Sequence, residues 1–223
     1  MRVKRKCSCS MDISYLLKSE LKQFWDWLGL SSQEYELLGT ITNSHESMYP
    51  RWDELIRLTC IAITNLEMGE TSQIDLILEV MALDNEEEAI LIECEEQLTN
   101  SGLNLLIEKG CSFPFRNARW QIAELIGRKK SREFENYLIA LTNDDSKYVQ
   151  RRALLSLVKI NSQLANEISF QKLEDDNEMI RLVSIRILSQ TSSDFLKEAT
   201  KKLASDSSLL IKEELNKIMC NEE

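Results

Sequence analysis

One apolar pattern recurs along this chain at a fixed 31-residue interval. It begins at Ala118 and returns at Val149, Ile180 and Ile211, with further apolar residues at matching offsets each time. An aspartate precedes three of these positions by five residues: Asp144, Asp175 and Asp206. Similarity at a period of about 20 to 50 residues is typical of stacked repeats, because each repeat buries its apolar face against the next. The interval therefore predicts an architecture and says much less about function.

Each repeat is predicted to be a pair of helices. Apolar residues at offsets 0, 4, 5, 7 and 8 of the pattern lie on one face of an α-helix. The segment before each such helix is also apolar on one side, as in residues 134–141. Polar turns such as 143–146 supply side chains that accept hydrogen bonds from the free N–H groups at a helix start. No alternating strand pattern occurs, so the predicted fold is all-α.

The register extends upstream to Glu87 and Ile56, which predicts about six units over residues 34–223. At Glu87 a charge replaces the leading apolar residue, and either a specialised unit or simple sequence drift explains the change. The same register places Leu91 and Ile92 on the apolar face of that unit's second helix.

Two features resemble the HEAT repeat family in its short form, with a repeat of this 31-residue length. One is the stretch Ala118–Gly127. The other is the aspartate followed five residues later by an apolar and a basic residue, as in Asp175 with Ile180 and Arg181. The resemblance implies a right-handed α-solenoid of about six helix pairs. It specifies a fold, and such folds serve as scaffolds, adaptors, inhibitors and occasional enzymes.

In that family the aspartate of one repeat and an arginine of its neighbour form a polar ladder. The arginine directly follows the leading apolar residue. In this chain the corresponding positions are Arg57, Glu88, Arg119, Gln150, Arg181 and Lys212. Because Glu88 and Gln150 depart from a basic residue, the resemblance predicts an incomplete ladder.

The N-terminal region is predicted to hold a capping helix within residues 11–33. Its aromatic and aliphatic residues, including Phe24, Trp25 and Trp27, suit a helix that covers the exposed apolar end of a repeat array. Residues 1–10 are expected to be a disordered basic tail or an upstream extension, with Met11 as an alternative start. No run of 18 apolar residues occurs, so the sequence predicts no membrane-spanning segment.

Charge is distributed unevenly along the chain. Residues 1–111 hold 9 basic and 20 acidic residues, a net of −11, whereas residues 112–223 hold 18 basic and 17 acidic residues, a net of +1. A total net charge of −10 gives a poor long-range field for attracting a polyanion. Composition therefore disfavours nucleic acid as a partner.

The sequence offers little catalytic or metal-binding chemistry. His45 is the only histidine, and no nucleotide-binding, serine-hydrolase or zinc-protease motif occurs. Cys7 and Cys9 lack a second cysteine pair at ligand spacing, which disfavours a metal site. We expect no enzyme activity, no cofactor and no metal. The six cysteines suggest a reducing cytoplasm.

One enzyme class remains an alternative. Some bacterial DNA glycosylases for alkylated bases are built from HEAT-like repeats, and their grooves present basic residues, an aspartate and tryptophans. Trp120, Arg151 and Arg152 lie at offsets 2 and 3, which point away from the predicted core. No motif allows a residue-by-residue transfer, and Trp120 in a protein interface or in ordinary packing is the simpler interpretation.

The sequence therefore favours protein recognition on the concave face of an α-solenoid. Arginine and tryptophan often dominate binding energy at interfaces. The candidate partner-binding residues, all at exposed offsets, are Trp120, Arg151, Arg152, Leu155, Lys159 and Arg186. The partner is another protein of unknown identity. A small acidic chain also suits a toxin-neutralising immunity protein of a bacterium, because many toxins are basic nucleases; a generic adaptor fits equally well.

Overall fold

The computed structural model describes residues 12–38, 46–191 and 193–220. Within these ranges the chain forms thirteen α-helices and no β-strand, which confirms the all-α prediction. The helices are α1 (Ile13–Leu28), α2 (Ser32–Leu38), α3 (Trp52–Glu67), α4 (Ile74–Leu83), α5 (Ala89–Gln97), α6 (Asn100–Gly110), α7 (Arg116–Lys129), α8 (Glu135–Leu141), α9 (Lys147–Lys159), α10 (Ala165–Gln171), α11 (Glu178–Thr191), α12 (Ser193–Leu203) and α13 (Leu209–Cys220).

From α7 onward, alternate helices begin at intervals of 31 residues. Helix α1 lies within the segment predicted to be a cap, and the other twelve helices follow it in chain order, two to each predicted repeat. The second helix of each repeat is here called the pattern helix. Five pattern helices contain the leading position of the apolar pattern, and α5 begins two residues after it. The pattern helices are α3, α5, α7, α9, α11 and α13. The chain divides into two compact units, residues 1–109 (unit 1) and residues 110–223 (unit 2), and the boundary falls at the end of α6.

In unit 1, helix α1 packs against α3 and α4, and α3 packs against α5. The buried face of α1 includes Leu17, Leu21 and Phe24. A polar residue lies in the same face: the carboxylate of Glu20 is buried and accepts hydrogen bonds from Tyr49 Oη at 2.8 Å and Arg51 Nε at 2.8 Å. Because both partners satisfy the carboxylate, α1 tolerates a charge in an otherwise apolar contact.

Helix α5 departs from the repeat register. Glu88 adopts a left-handed backbone conformation, with φ of 55°, so the helix begins only at Ala89. Ile90 and Leu91 are buried, whereas Ile92 is 43% exposed. The prediction that Ile92 faces the core is wrong, because α5 packs against α3 and α4 through Ile90, Leu91 and Cys94 instead.

In unit 2 each pattern helix packs against the next one. Helix α7 contacts α9, α9 contacts α11, and α11 contacts α13, while α8 and α10 each pack against both flanking pattern helices and α12 packs against α11. The approach of α7 to α9 is close at Gly127, where an added Cβ atom would lie 2.7 Å from Ser156 Oγ. A glycine at this point therefore permits the tight contact between the two helices.

Successive repeats of unit 2 are joined by three equivalent ion pairs. Arg119 Nε and Arg181 Nε each lie 2.7 Å from a carboxylate oxygen, of Asp144 and Asp206 respectively. The intervening repeat has Gln150 at the arginine position, and here Lys147 Nζ lies 2.7 Å from Asp175 Oδ1 instead. The expectation that Gln150 interrupts the ladder is wrong, because a lysine one helical turn earlier reaches the same carboxylate.

Each aspartate of the ladder also orders the turn that contains it. Asp144 Oδ1 accepts the Ser146 N–H at 2.8 Å, and Asp206 Oδ1 accepts the Ser208 N–H at 2.8 Å. These bonds satisfy backbone donors next to the starts of α9 and α13, as predicted for the polar turns. One side chain thus couples the local turn to the neighbouring repeat.

Candidate functional site

A groove of about 360 Å³ lies between α9 and α11 in unit 2. This volume is within the range of small-ligand and side-chain pockets. Its polar lining residues are Tyr148, Arg151, Arg152, Arg186 and Gln190. Its apolar lining residues are Leu155, Met179, Leu182, Val183 and Ile187. We call this feature the α9–α11 groove.

The repeat explains why these side chains converge. Leu182, Val183 and Arg186 lie one repeat after Arg151, Arg152 and Leu155. Equivalent positions on two adjacent pattern helices therefore line one groove. Because an arginine on one helix corresponds to an apolar residue on the other, the groove combines cationic and apolar surface.

Two guanidinium groups share the ring of Tyr148. The central carbons of Arg151 and Arg152 lie 5.0 Å and 5.2 Å from the ring centroid, within the range of cation–π attraction. Arg152 Nη2 also donates a hydrogen bond to Tyr148 Oη at 2.7 Å. The aromatic ring thus holds two positive side chains at one end of the groove.

Trp120 does not reach the groove surface. It is only 3% exposed, packs edge-on against Tyr148 with ring centroids 5.5 Å apart, and is covered by the guanidinium of Arg152 at 4.9 Å. The prediction of an exposed Trp120 is wrong, because the close contact of α7 with α9 brings Tyr148 and Arg152 over the indole. Trp120 instead supports the two residues that line the groove.

A buried carboxylate balances part of the positive charge nearby. Glu124 Oε1 accepts hydrogen bonds from Lys159 Nζ at 2.6 Å and Arg128 Nε at 3.2 Å, and Glu124 Oε2 lies 3.9 Å from Arg152 Nη1. Burial of Glu124 raises its pKa, but the hydrogen bonds and charges of Lys159 and Arg128 outweigh that effect, so the pKa is lowered overall. Lys159 is tied to this carboxylate and does not line the groove.

Of the two other predicted arginines that line the groove, Arg186 has a carboxylate partner and Arg151 has none among the described residues. Arg186, whose side chain is 49% exposed, donates from Nη2 to Glu214 Oε2 at 2.7 Å. This hydrogen bond raises the pKa of Arg186. Arg151 forms no salt bridge with any described residue, and its buried Nε has no hydrogen-bond acceptor there. Leu155 is partly exposed in the groove.

Four of the six predicted residues therefore line one groove: Arg151, Arg152, Leu155 and Arg186. The candidate set did not include six others that line it: Tyr148, Met179, Leu182, Val183, Ile187 and Gln190. Two of them could have been found in the sequence. Tyr148 and Met179 are one repeat apart, and each directly precedes a pattern position, Val149 or Ile180, so both occupy the same place on adjacent pattern helices.

Metal ligands and thiols are further groups in the described residues that could form a site. No group of three or more histidine, cysteine, aspartate or glutamate side chains there is arranged to hold a metal ion. Cys60, Cys111 and Cys220 are free thiols, and burial raises the pKa of Cys111 to about 12. The candidate residues Cys7, Cys9 and His45 lie outside the described ranges.

A search of the described helices finds none with the length and apolar character that crossing a membrane requires. The chain matches no protein-family model, and a search of curated proteins returns no match.

Proposed function

We propose that this chain is a protein-interaction module, a right-handed HEAT-like α-solenoid that binds a partner protein in the α9–α11 groove. The 31-residue register and the successive packing of α7, α9, α11 and α13 support the solenoid. The proposal assigns no catalytic step to the chain.

The observation that carries this proposal is the composition of the groove. Its apolar lining can bury side chains of a partner, and Arg151, Arg152 and Arg186 can form directional bonds at its edges. Arginine, tyrosine and methionine are enriched in protein interfaces, and all three line this groove. Tyr148 also holds Arg151 and Arg152 in place, which reduces the conformational entropy that they lose on binding.

The alternative of a HEAT-like DNA glycosylase has weaker support. That activity calls for an aromatic side chain beside the extruded base, and the candidate Trp120 is buried beneath Arg152 and Tyr148. The immunity-protein hypothesis rests on the acidic residues of unit 1. A groove lined by arginines suits an acidic partner better than a basic toxin.

Site-specific photo-crosslinking in extracts of the native host tests the proposal. A photoreactive amino acid replaces Leu155 in the groove or, as a control, Leu164, which has a similar exposure and does not line it. We expect the Leu155 probe to capture a protein that the Leu164 probe does not, with mass spectrometry identifying it.

Two charge-matched variants complete the test. Arg186→Ala should reduce capture at Leu155, whereas Arg132→Ala, which removes an exposed arginine outside the groove, should not. Thermal unfolding of both variants checks that the fold persists. If both probe positions capture the same proteins, or if Arg186→Ala leaves capture unchanged, the groove is not the binding site.

A further inference from the structure

Arg151 is the groove residue whose charge the fold compensates least. Arg186 is paired with Glu214, and Arg152 contacts Tyr148 Oη and lies near Glu124. Arg151 has no carboxylate partner among the described residues. Its guanidinium lines the groove while its Nε is buried without an acceptor. A buried donor without an acceptor is unusual in a native protein.

The surroundings of Arg151 add to its attraction for an anion. Both Arg151 and Arg152 lie within 5.2 Å of the centre of the same ring, so two like charges are held close together. The nearby carboxylate, Glu124, already serves Lys159 and Arg128. Positive charge is therefore in excess at this end of the groove, and a carboxylate entering it would relieve the repulsion.

We propose that the partner presents a short segment in which an acidic side chain is flanked by apolar ones. The carboxylate accepts two parallel hydrogen bonds from the Arg151 guanidinium, while the flanking apolar side chains lie against Leu155, Leu182 and Ile187. This inference rests on the proposed function and names the chemistry of the partner. An acidic side chain fits because Arg151 carries a planar, permanently charged group that matches a carboxylate.

The lining of the groove favours a peptide over a nucleic acid strand. A phosphate would also pair with Arg151, but it offers nothing to the five apolar lining residues. The indole that could stack on a base is buried. The α11 residues that line the groove run from Met179 to Gln190, a rise of about 16 Å, which an extended peptide of about five or six residues spans.

Titration with designed peptides tests the inference on the full chain. The probe is a blocked peptide of about six residues in which leucine and glutamate alternate, matched to the length of the groove. One control peptide carries glutamine in place of glutamate, and a second carries serine in place of leucine. We expect each control to bind about tenfold more weakly or worse, because one loses the charge-assisted bonds and the other the apolar contact.

Variants assign the carboxylate contact to Arg151. Arg151→Ala should weaken binding of the Leu–Glu peptide about tenfold and should bind the glutamine peptide as the natural chain does. Arg151→Lys keeps the charge without the forked geometry, so it should give an intermediate affinity. Arg132→Ala is the matched control and should bind the Leu–Glu peptide normally. Thermal unfolding confirms that each variant is folded.

Several outcomes would overturn the inference. These are absence of binding by the Leu–Glu peptide, equal binding of the glutamine peptide, an unaffected Arg151→Ala variant, or tighter binding of single-stranded oligothymidine than of the peptide. None of these results depends on the crosslinking experiment at Leu155. Site-dependent capture of a protein without peptide selectivity would leave the groove as an interface and refute only its preference for acidic segments.

Discussion

Asp84 shows how a single buried carboxylate can set a local pH dependence. It is 2% exposed, and its Oδ2 accepts the N–H of Ile90 at 2.8 Å, close to the start of α5. Burial raises the pKa of Asp84 to about 6; the bond from Ile90 opposes this shift, and the charge of Glu87 adds to it. The folded chain therefore holds a proton on Asp84 at pH values where the unfolded chain has lost it.

Replacing Asp84 with asparagine should stabilise the chain at neutral pH. The free energy of unfolding contributed by Asp84 falls as pH rises from about 4 to about 6, and remains low above that range. Asp84→Asn keeps an oxygen acceptor for Ile90 and carries no charge, so the variant should gain about 1–3 kcal/mol at pH 7.5. Urea unfolding at several pH values measures the difference between variant and natural chain. A difference that does not change between pH 4 and pH 6.5 would contradict this account.

Glu124 has the opposite behaviour, because its cationic neighbours lower its pKa. Its contribution to stability is present above the pKa of the unfolded chain and is lost as pH falls through the lower pKa of the folded chain. Glu124→Gln should reduce the free energy of unfolding by about 1–3 kcal/mol at pH 7, because Lys159 and Arg128 lose their carboxylate partner. Glu133→Gln, at an exposed site, should change it by less than about 0.5 kcal/mol. Comparable losses in the two variants would exclude a special role for Glu124.

At the scale of helices, the ladder shows that equivalent contacts can come from different repeat positions. Arg119 Nη1 and Arg181 Nη1 donate to the backbone carbonyls of Phe113 and Asp175, at 3.0 Å and 2.9 Å. Gln150 Nε2 donates to the equivalent carbonyl, that of Asp144, at 2.6 Å. Gln150 thus retains the local bond of the arginine position and loses only the reach to the next repeat, which Lys147 supplies.

An arginine at position 150 should therefore compensate for the loss of Lys147. Lys147→Ala should lower the free energy of unfolding by about 1 kcal/mol, since the lysine is 37% exposed and the pair is partly screened by water. Adding Gln150→Arg should restore most of that loss, because position 150 precedes Asp175 by the same sequence separation that joins each ladder arginine to its aspartate. Urea unfolding of the natural chain, the two single variants and the double variant gives the free energies for this double-mutant cycle. If the double variant is no more stable than Lys147→Ala, the repeat positions are not geometrically equivalent.

The contact of α7 with α9 gives a second test at this scale. Gly127→Ala would place a methyl group 2.7 Å from Ser156 Oγ and 3.0 Å from Ser156 Cβ. The helices would have to separate, so we expect a loss of about 1–3 kcal/mol despite the better helix propensity of alanine. Combining it with Ser156→Gly should recover part of the loss, as thermal unfolding would show. A Gly127→Ala variant as stable as the natural chain would mean that this contact is not tight.

At the scale of the whole molecule, charge separates the two units. Residues 1–109 hold 9 basic and 20 acidic residues, and residues 110–223 hold 18 basic and 17 acidic residues. The arginines of the α9–α11 groove therefore belong to a nearly neutral unit of a chain that is acidic in total. Long-range attraction of a polyanion is weak under these conditions, so anion recognition in the groove must come from short-range contacts.

We accordingly expect no tight binding of duplex DNA or RNA at physiological salt. Fluorescence anisotropy of labelled duplexes measures this directly, with a salt series to reveal any phosphate contacts. Incubation with alkylated duplex DNA tests the glycosylase alternative. Release of the modified base, lost in Trp120→Ala but kept in Trp27→Ala, would refute the protein-recognition proposal.

The sequence alone determined the positions of the helices in unit 2, since these follow from local periodicity. The 31-residue interval predicted where α7, α9, α11 and α13 lie, and the recurring aspartates predicted the ordered turns between helices. These features arise within one or two turns of chain, so the pattern of apolar and polar residues is sufficient to predict them.

Tertiary structure decided which of the predicted surface residues are accessible and which charged side chains form ion pairs. Trp120 and Arg152 have neighbouring offsets in the pattern, yet only Arg152 lines the groove, because α9 lies against α7 and its residues Tyr148 and Arg152 cover the indole. Lys147 replaces a missing arginine because a long flexible side chain spans a helical turn. Periodicity specifies the direction of a side chain from its own helix, whereas its burial and its partner depend on how closely the next helix packs.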